Sequence, residues 1–552
     1  MASQDRPEVE WQLEAVDLRP VERWLSTRDS EETSSLTPLP TVAVVDTYLD
    51  TADWRLHRAG FSLRVREQDG ADEAEATLKS LGGNRNGLRV RREITEMLPE
   101  PDPTLLERRR GPVAERIRSL SARGHLRTLL EVRTTRRRFA VVADGSEIGE
   151  LTLDHTTIPV EGDDVPVTLQ RVEIESAGET SDERLEELAR SLRDAVGLVP
   201  AVRSKFESGL LARGLAPPEP PDLGPTRVTS ALTTGEVAFA SLRAQFAEVL
   251  AHEPGARLGE DPEEVHDMRV ATRRMRAGIS LFEAALPARS RWLRKELGWI
   301  ARSLGAVRDL DVQIEQLTEW TAAADGPDRK ALEPLVRILD KRRRQARRKL
   351  IRDLDSRRYA RLVQRAGEFL RKGPLTRSPA ARTPIVSVAP SLLSKPYKRV
   401  RREGDRIEPS SDPAEFHSLR IRCKRLRYAL EFLTPLAPKE TRAFVKRLVD
   451  VQDVLGEHQD AQVAMAHIRE LVSDDGPSLD PGTVFALGRV DERYDRRGKE
   501  LRDRFARVYR ELRGREWKDI QHALERRRLE RAAAPRRPAV AVAPPAPSSA
   551  GA

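Results

Sequence analysis

A short basic segment, HDMRVATRRMR at residues 266–276, places four arginines and a histidine among eleven residues with one acid. On an α-helix, at roughly 100° per residue, His266, Arg269, Arg273 and Arg276 would share one side within an arc of about 80°. Like charges at this spacing repel each other, so nothing local stabilises such a stripe. Guanidinium groups offer planar, paired donors that suit phosphate oxygens. The stripe therefore predicts a surface for an anion with several phosphate groups.

The same pattern returns 151 residues later, in EFHSLRIRCKRLRYALEFL from Glu415. Its stripe consists of His417, Arg420, Lys424 and Arg427, which repeat the first stripe in residue type and spacing. Each stripe also has one further arginine beside it, Arg274 in the first and Arg425 in the second. Leu304 and Leu455, each followed by glycine, share that offset. Two separated motifs with one offset indicate two homologous helical bundles. We expect their stripes to form a facing pair.

Two other interpretations compete with a phosphate-binding surface. A run of charges is most often a solvated helix face, and the seven cations of KRRRQARRK at residues 341–349, which surround their helix, fit that interpretation. Nucleic acid is the other alternative. Sequence-tolerant binding of single strands usually pairs cations with stacking aromatics, and aromatics are 5% of this chain. Phosphate chains without bases are therefore favoured, and non-specific duplex binding stays open.

Segments near the N-terminus alternate polar and apolar residues at period two, which predicts β-strands with a charged face. In EVEWQLE, Glu8, Glu10 and Gln12 share one side. Four further segments carry charges in the same way: Arg64 and Arg66 in SLRVRE; Arg89, Arg91 and Glu93 in GLRVRRE; Glu150 and Asp154 in ELTLD; Glu173 and Glu175 in VEIES. Carboxylates hold Mg²⁺ while cations neutralise phosphate. The set predicts a barrel with a charged lumen, although a solvent-facing polar side is the alternative for any single strand.

These motifs require two kinds of element along the chain. The strand-like segments come first, and proline-rich ARGLAPPEPPDLGPT at residues 212–226 separates them from long amphipathic stretches with helical spacing. The sequence thus predicts an α+β multidomain protein, with a β-rich domain followed by an all-helical one. The two bundles of the helical domain would join around residues 373–390, and the last residues have too few bulky apolar side chains to pack.

Length and charge support this division. A chain of 552 residues is too long for one core. Residues 1–220 carry 31 Lys and Arg against 41 Asp and Glu, whereas the remainder carries 66 against 47. The basic part favours a polyanionic partner, which leaves nucleic acid, anionic membrane and polyphosphate open.

Cysteine content and the N-terminus limit the remaining classes. The single cysteine, Cys423, excludes an internal disulfide framework and a thiolate metal site. The N-terminus has no basic and apolar leader, and no run of about 18 apolar residues follows. We expect a cytoplasmic protein without a membrane partner.

The two basic helices resemble the signature helices of the CHAD domain, a conserved-histidine α-helical domain. The resemblance covers about residues 228–530 and implies two pseudo-symmetric four-helix bundles. It implies that their basic faces bind inorganic polyphosphate, rather than a specific nucleic acid, and that the domain can associate with polyphosphate granules. This role falls on His266, Arg269, Arg273, Arg274, Arg276, His417, Arg420, Lys424, Arg425 and Arg427.

The N-terminal segments resemble the CYTH superfamily, the triphosphate tunnel metalloenzymes. EVEWQLE is similar to their opening ExExK strand, YLDTADWRLHRAGFSLRVRE to their second block, and ATLKS, VEIE and RSKFE follow in family order. The resemblance implies an eight-stranded antiparallel β tunnel at residues 1–215. A proline-rich linker at 216–227, the CHAD domain at 228–530 and a disordered tail at 531–552 complete the predicted organisation.

The resemblance also assigns roles to residues of the tunnel. Ligands for Mg²⁺ or Mn²⁺ would be Glu8, Glu10, Glu173 and Glu175. Arg64, Arg66 and Lys79 would act with Glu8 and Glu10 in catalysis, and Arg91, Arg133, Lys205 and Gln12 would bind substrate. Glu93, Glu150 and Asp154 match less distinctive acidic positions. Gln12 departs from the family lysine; it can donate a hydrogen bond but carries no charge, so phosphate binding there should be weaker.

The predicted function follows from the two resemblances together. CYTH members include triphosphatases and an adenylate cyclase class, and the fusion with CHAD resembles bacterial proteins of which some hydrolyse inorganic tripolyphosphate. We expect metal-dependent hydrolysis of tripolyphosphate or a related short triphosphate, with inorganic polyphosphate as the partner of the helical domain. The alternative is a non-enzymatic polyphosphate-binding protein with a degenerate tunnel.

Overall fold

A computed structural model of the chain describes residues 5–27, 34–82, 84–121, 124–160, 162, 165–178, 182–219, 221–323, 326–374, 377–474 and 479–533. Its contacts form two compact units. The first comprises Met1–Pro221 with His252–Glu264, and the second comprises Asp222–Ala251 with Val265–Ala552. Of the predicted tail, residues 531–533 are helical and the rest lie outside the described residues.

The first unit is mainly β-structure. Its described strands are β1 Asp5–Ala15, β2 Ser35–Thr51, β3 Phe61–Gln68, β4 Ala74–Ser80, β5 Asn84–Arg85, β6 Leu88–Leu98, β7 Leu126–Ala143, β8 Ser146–Ile158, β9 Val167–Ser176 and β10 Val199–Pro200. Its helices are α1 Arg19–Thr27, α2 Arg55–Arg58, α3 Thr104–Arg108, α4 Pro112–Ser121, α5 Glu183–Val196 and α6 Lys205–Ala212.

Eight of these strands close into an antiparallel barrel. Their order is β1-β9-β8-β7-β2-β3-β4-β6, and β6 pairs back onto β1 along Asp5–Trp11. The two-residue strands β5 and β10 add only short pairings to β6 and β1. The predicted eight-stranded antiparallel tunnel is confirmed.

The barrel is held from outside because its strands alternate between two buried faces. In β1, Val9, Trp11 and Leu13 pack in an apolar cluster with Leu188 and Leu192 of α5. A second cluster joins β3, β4 and β6 to α4. Since successive side chains point to opposite sides of a strand, the residues between these apolar positions face the lumen. Apolar packing outside thus leaves the inside free for charged groups.

The described elements of the second unit are helices, apart from one isolated β-bridge between Thr233 and Pro384. Residues 252–264 of its first two helices belong to the first unit. The helices are α7 Thr234–Leu258, α8 Pro262–Leu281, α9 Ser290–Ala323, α10 Gly326–Leu354, α11 Arg357–Lys372, α12 Pro379–Arg382, α13 Ile385–Gly404, α14 Pro413–Leu433, α15 Pro438–Asp474, α16 Pro481–Glu511 and α17 Glu516–Ala533. The all-helical fold is confirmed. Each repeat has five long helices in the described residues, of which the first, α7 or α13, precedes the basic helix.

The internal repeat is visible in the backbone. Helices α7 and α13 begin 151 residues apart, as do α8 and α14. At the start of α7 and α13, the Thr234 N–H donates to the carbonyl of Thr383 at 2.8 Å, and the Ile385 N–H donates to that of Leu232 at 3.0 Å. Thr234 corresponds to Ile385 and Leu232 to Thr383 by the offset of 151 residues, so the two hydrogen bonds are equivalent in the repeat. A pseudo-twofold axis therefore passes between them, and residue i of the first repeat corresponds to residue i + 151 of the second.

A membrane-spanning segment was sought among the described helices. None of them combines the length and the apolar content that a bilayer crossing requires.

Candidate active site and basic cleft

The barrel lumen holds a cavity of about 730 Å³, open space at its mouth included. Charged side chains from six strands and from α6 line it. The lining cations are Arg64, Arg66, Lys79, Arg89, Arg91, Arg136 and Lys205, and the lining acids are Glu8, Glu10, Glu173, Glu175 and Glu207. Buried charges need partners, so the pairing of these groups determines what a ligand would have to replace.

On the β1 side of the cavity, two carboxylates are held by two cations. Lys79 Nζ lies 2.7 Å from Glu8 Oε1. Arg91 donates a hydrogen bond to Glu10 and lies 3.7 Å from Glu8 Oε2. The strand register explains this, because β6 runs beside β1 with Arg91 opposite Glu8.

The β9 side has a second cluster of the same kind. Arg136 binds Asp154 with two hydrogen bonds, at 2.9 and 2.6 Å, and reaches Glu173 at 2.8 Å. Lys205 lies 3.0 Å from Glu173 and also donates to Asp154. Burial alone would raise the pKa of Glu173, but Lys205 and Arg136 hold that pKa well below its ordinary value.

A buried aspartate orients the arginines of β3. Asp46, on β2, accepts two hydrogen bonds from Arg66 at 2.7 and 2.8 Å and lies 4.0 Å from Arg64. Burial opposes ionisation of Asp46, but the two guanidinium groups lower its pKa below the ordinary range. A paired fork of this kind fixes the plane of the guanidinium group, so Asp46 positions Arg66 in the lumen.

Two lumen residues differ from this pattern of ion pairs. Among the described residues, Glu175 has no cation within 4 Å; burial and the nearby carboxylate of Glu8 raise its pKa to about 7. Gln12 uses its Nε2 group to donate to Glu10 Oε1 at 3.0 Å and to Glu173 Oε1 at 3.3 Å. Gln12 thus links the carboxylates of β1 and β9, and its own Oε1 has no hydrogen-bond donor among the described residues.

A second cavity of about 920 Å³ adjoins the first and shares Arg66, Arg136 and Glu175 with it. Arg6 and Arg138 line its outer part, and Arg138 is paired with Glu150 at 2.6 Å. The lumen therefore continues past the shared residues and is a tunnel.

The predicted metal ligands fit a hard cation in chemical type, since all four are carboxylates. Their placement does not assemble a metal centre. Within the described parts of the chain, no three His, Cys, Asp or Glu side chains are grouped closely enough to hold an ion. Glu8, Glu10 and Glu173 instead bind cations of the protein.

The helical unit has its own basic cleft, with an open volume of about 3120 Å³. One acid, Glu283, lines it together with thirteen cations: Arg273, Arg276, Arg291, Arg294, Lys295, Arg302, Arg358, Lys395, Arg399, Arg420, Arg422, Lys424 and Arg425. Four of these cations have a carboxylate within 4 Å, namely Arg291, Arg358, Arg420 and Arg422. The other nine have none among the described residues, so the cleft carries positive charge that the protein does not neutralise.

The two predicted stripes meet in this cleft. Burial, Arg420 on its own helix, and Arg273 and Arg269 on α8 together lower the pKa of Lys424 to about 7. Arg273 and Arg274 of α8 both lie over the ring of Tyr428 on α14, at 5.6 and 5.9 Å from its centre. The stripes are therefore a facing pair.

The glycines of the repeated LG motif make room for the stripes. A Cβ at Gly305 would lie 3.5 Å from Arg269 Nε, and one at Gly456 would lie 4.0 Å from Arg420 Nε. The same two arginines approach Asp309 at 3.6 Å and Asp460 at 3.9 Å. These contacts are related by the repeat, so both motifs belong to one duplicated arrangement.

Comparison with protein families assigns both units. The family model of the CYTH domain matches residues 28–202, and that of the CHAD domain matches residues 240–469. The chain is a CYTH–CHAD protein. A comparison with curated proteins finds no match.

Solved structures similar to parts of the chain include three from plants and bacteria. The CHAD domain of the plant Ricinus communis is 27% identical, covers 53% of this chain and 96% of its own, and has a TM-score of 0.44. PptA from Streptomyces chartreusis is 22% identical; the match covers 50% of this chain and 99% of PptA, with a TM-score of 0.43. HpAC1 from Hippeastrum, named as an adenylyl cyclase with a dominant triphosphatase activity, is 21% identical, with 38% and 98% covered and a TM-score of 0.30.

Most residues predicted for the CYTH tunnel lie in it. Ten of them line the first cavity: Glu8, Glu10, Gln12, Arg64, Arg66, Lys79, Arg91, Glu173, Glu175 and Lys205. The placement of Arg133 is wrong. Its side chain is 64% exposed and pairs with Glu131, because odd-numbered residues of this part of β7 face outward.

The tunnel residues that were missed include Arg136 and Asp46. Arg136 shares the inward face of β7 with Val132 and Thr134, and this face lacks the regular charged pattern of β1 and β9, so the sequence offered no clear signal for it. Asp46 lies opposite Arg66 in the β2–β3 register. That pairing cannot be read from one sequence, because the register depends on which strands become neighbours.

The residues predicted for the CHAD domain divide into two groups. Five line the cleft, namely Arg273, Arg276, Arg420, Lys424 and Arg425. The others lie beside it: Arg269 approaches Asp309, Arg274 and Arg427 both pair with Glu431, and Nδ1 of His417 lies 2.6 Å from Gln459 Oε1. His266 belongs to the same stripe and does not line the cleft.

Proposed function

We propose that the CYTH domain hydrolyses inorganic tripolyphosphate or a related short triphosphate. The observation that carries this proposal is the convergence of seven cations from four strands and one helix on one enclosed cavity. Arg91 of β6 and Arg136 of β7 come from opposite walls, since four steps separate these strands in the barrel order. A linear triphosphate presents oxygens on all sides, and donors on opposite walls match it.

Binding in this tunnel exchanges partners. Phosphate oxygens replace carboxylates as the partners of Lys79, Arg91, Arg136 and Lys205. Arg66 stays oriented by Asp46 and adds a fixed donor. Cations held in place before the reaction stabilise charge that develops on the transferred phosphoryl group while water attacks in line.

We also propose that Mg²⁺ or Mn²⁺ takes part. Glu175, which lacks a cation, and Glu8 and Glu10, which lose theirs to phosphate, are the carboxylates that would hold it. A bound divalent ion would neutralise charge on the phosphate oxygens. Removal of divalent ions with a chelator should abolish turnover, and readdition of either metal should restore it.

For the CHAD domain we propose binding of inorganic polyphosphate in the basic cleft, and through it association with polyphosphate granules. Nine cations without a carboxylate partner support this proposal. A polyanion would relieve their mutual repulsion.

Phosphate release by the purified full-length protein tests the catalytic proposal. Tripolyphosphate, nucleoside triphosphates and thiamine triphosphate are each supplied with Mg²⁺ or Mn²⁺. We expect release from tripolyphosphate above the nucleotides. Protein that releases phosphate from none of these substrates with either metal contradicts the proposal.

The position of Gln12 supports a second candidate, a tunnel that binds phosphate chain ends without hydrolysis. Its amide links Glu10 to Glu173 where the family motif has lysine. The variant Q12K separates the two candidates. If the wild type releases phosphate at a measurable rate and Q12K raises that rate a few-fold, the hydrolase is supported. If the wild-type rate is indistinguishable from background and Q12K gains activity, the degenerate tunnel is supported.

A further inference from the structure

The basic cleft of the CHAD domain extends beyond the two stripes on one side only. Five exposed cations form this part, which we call the α9–α13 extension: Arg294, Lys295 and Arg302 on α9, with Lys395 and Arg399 on α13. None of the five has a carboxylate within 4 Å among the described residues. Each repeat supplies one of the two helices.

The extension is continuous with the stripes. Burial and the nearby guanidinium groups of Arg294 and Arg302 lower the pKa of Arg276, which belongs to the first stripe. On the other side, Arg425 of α14 has its pKa lowered by burial, by Arg422 and by Arg399. One field of positive charge therefore runs from the stripes onto α9 and α13.

The pseudo-twofold axis identifies the equivalent surface of the other half, and it lacks this charge. On α15 and α7, the positions that correspond to the extension hold Val445, Lys446, Asp453, Ala244 and Glu248. Two acids and two apolar residues thus replace four of the five cations. Burial and Asp450 raise the pKa of Asp453, against the opposing effect of Arg427.

We propose that the α9–α13 extension is a second subsite that binds the continuation of a long polyphosphate chain, so that one chain lies across the stripes and leaves the domain on this side. The inference rests on the proposed binding of polyphosphate by the CHAD domain. Both repeats carry a basic stripe, but only one side of the pseudo-twofold axis carries the additional cations of the extension. A short chain occupies the stripes, and a long chain occupies both parts.

The lining of the cleft favours a phosphate chain over a nucleic acid. Single-stranded nucleic acids are usually bound through aromatic platforms as well as cations. Tyr428 is the one aromatic among the lining residues, and its side chain is buried beneath Arg273 and Arg274.

Exchange of two extension cations for the residues of the equivalent surface tests the proposal. The variant R302D/R399E in the full-length protein is compared with K341E/R348E, which makes the same change in net charge on exposed positions of α10 outside the cleft. Binding of long-chain polyphosphate and of tripolyphosphate to the CHAD domain is measured by calorimetry over a range of salt concentrations. R273E/K424E serves as the stripe variant, and melting temperatures confirm that each variant is folded.

For R302D/R399E we expect affinity for long chains to fall by about tenfold or more, which is about 1.4 kcal/mol per tenfold. The dependence of log Kd on log salt should also become less steep, because fewer counterions are released. Affinity for tripolyphosphate at the stripes and the behaviour of K341E/R348E should match the wild type. Stoichiometry should be one long chain for each domain.

Three results would overturn the inference. If R302D/R399E binds long chains as tightly as K341E/R348E does, the extension is not a subsite, and the proposed function stands. If single-stranded DNA displaces long polyphosphate as effectively as polyphosphate displaces DNA, the ligand class is wrong. If the wild type binds neither long nor short polyphosphate, the proposed function of the CHAD domain fails and takes this inference with it.

Discussion

Lys424 is the residue of the cleft whose charge depends most on its surroundings. It is partly buried and close to three arginines, which together bring its pKa to about 7. A polyanion in the cleft would offset that repulsion and favour the charged ammonium group. Binding should therefore be coupled to uptake of a proton near neutral pH.

We predict that affinity for polyphosphate is nearly constant below about pH 7 and weakens as the pH rises above 7, up to the higher pKa that Lys424 has in the bound state. Below the lowered pKa, Lys424 is already charged in the free protein, and above it a proton must be bound along with the ligand. The variant K424R should keep the affinity and lose most of this pH dependence, because arginine stays charged. Titration calorimetry in two buffers with different ionisation enthalpies measures the proton uptake; an equal pH profile for both proteins contradicts the prediction.

Arg133 and Arg136 provide a matched pair in the tunnel strand β7. Arg136 holds Asp154 and Glu173 in the lumen, whereas Arg133 faces outward. We predict that R136Q lowers kcat/KM for tripolyphosphate by about a hundredfold or more, the usual cost of one lost electrostatic donor, while R133Q stays within about twofold. R136K should be intermediate. Phosphate release by variants of equal melting temperature checks this, and equal losses in R133Q and R136Q would contradict it.

Much of the tunnel site could be predicted, because residue type and strand parity in β1, β3 and β9 agree with family motifs. Glu8, Glu10, Arg64 and Glu173 were found in this way. Arg133 was not placed correctly because RTTRRR at residues 133–138 offers arginines on both faces of a strand, and a shift by one residue moves a side chain to the opposite face. Pairings such as Asp46 with Arg66 depend on the three-dimensional neighbours of a strand and stayed hidden.

At the level of elements, the barrel depends on close approach between neighbouring strands. Gly149 of β8 lies opposite β9, and a Cβ built there would collide with the carbonyl oxygen of Glu175 and lie 3.0 Å from Leu185 of α5. Neither strand can move away without loss of ladder hydrogen bonds. The lumen position of Glu175 thus depends on a residue without a side chain.

We predict that G149A destabilises the protein by about 2 kcal/mol, in the range of overpacked core positions. Gly488, exposed on α16, has no atom within 4 Å of a built Cβ. G488A should raise stability slightly, since alanine is favoured over glycine in a helix by up to about 1 kcal/mol. Thermal unfolding of both variants measures the difference. A melting temperature of G149A at or above that of the wild type would contradict the prediction, because it would show that β8 can shift to accommodate the added Cβ.

For the whole molecule, the two domains lead us to expect that polyphosphate binding and triphosphate hydrolysis can be separated by mutation. Charge reversal in the stripes should remove polyphosphate binding without reaching the tunnel chemistry. We predict that R273E/K424E abolishes binding of long polyphosphate and retains at least about half of the wild-type hydrolysis of tripolyphosphate. Parallel binding and phosphate-release assays on the same preparation measure both, and joint loss of the two activities in a folded variant would show that they are coupled.

The internal repeat was the large-scale feature most accessible from sequence. One offset, 151 residues, relates the histidines, the LG motifs and the helix starts. The number of helices in each repeat was less accessible, because an amphipathic stretch such as the one that forms α7 does not reveal whether it belongs to a bundle or precedes it. The unequal charge of the two halves becomes visible only when corresponding positions are compared.

The ion pairs of the tunnel have a consequence for which anions can enter it. Each cation that is paired with a lumen carboxylate must lose that ion pair before it can bind an oxygen of an incoming anion. A small ion of low charge would bind one such cation, and the carboxylate that lost its partner would remain buried without a counter-charge, which is unfavourable. A chain of linked phosphates breaks several pairs and re-forms as many in a single event. We therefore expect the tunnel to select anions by the number of phosphate groups that are linked in one ligand.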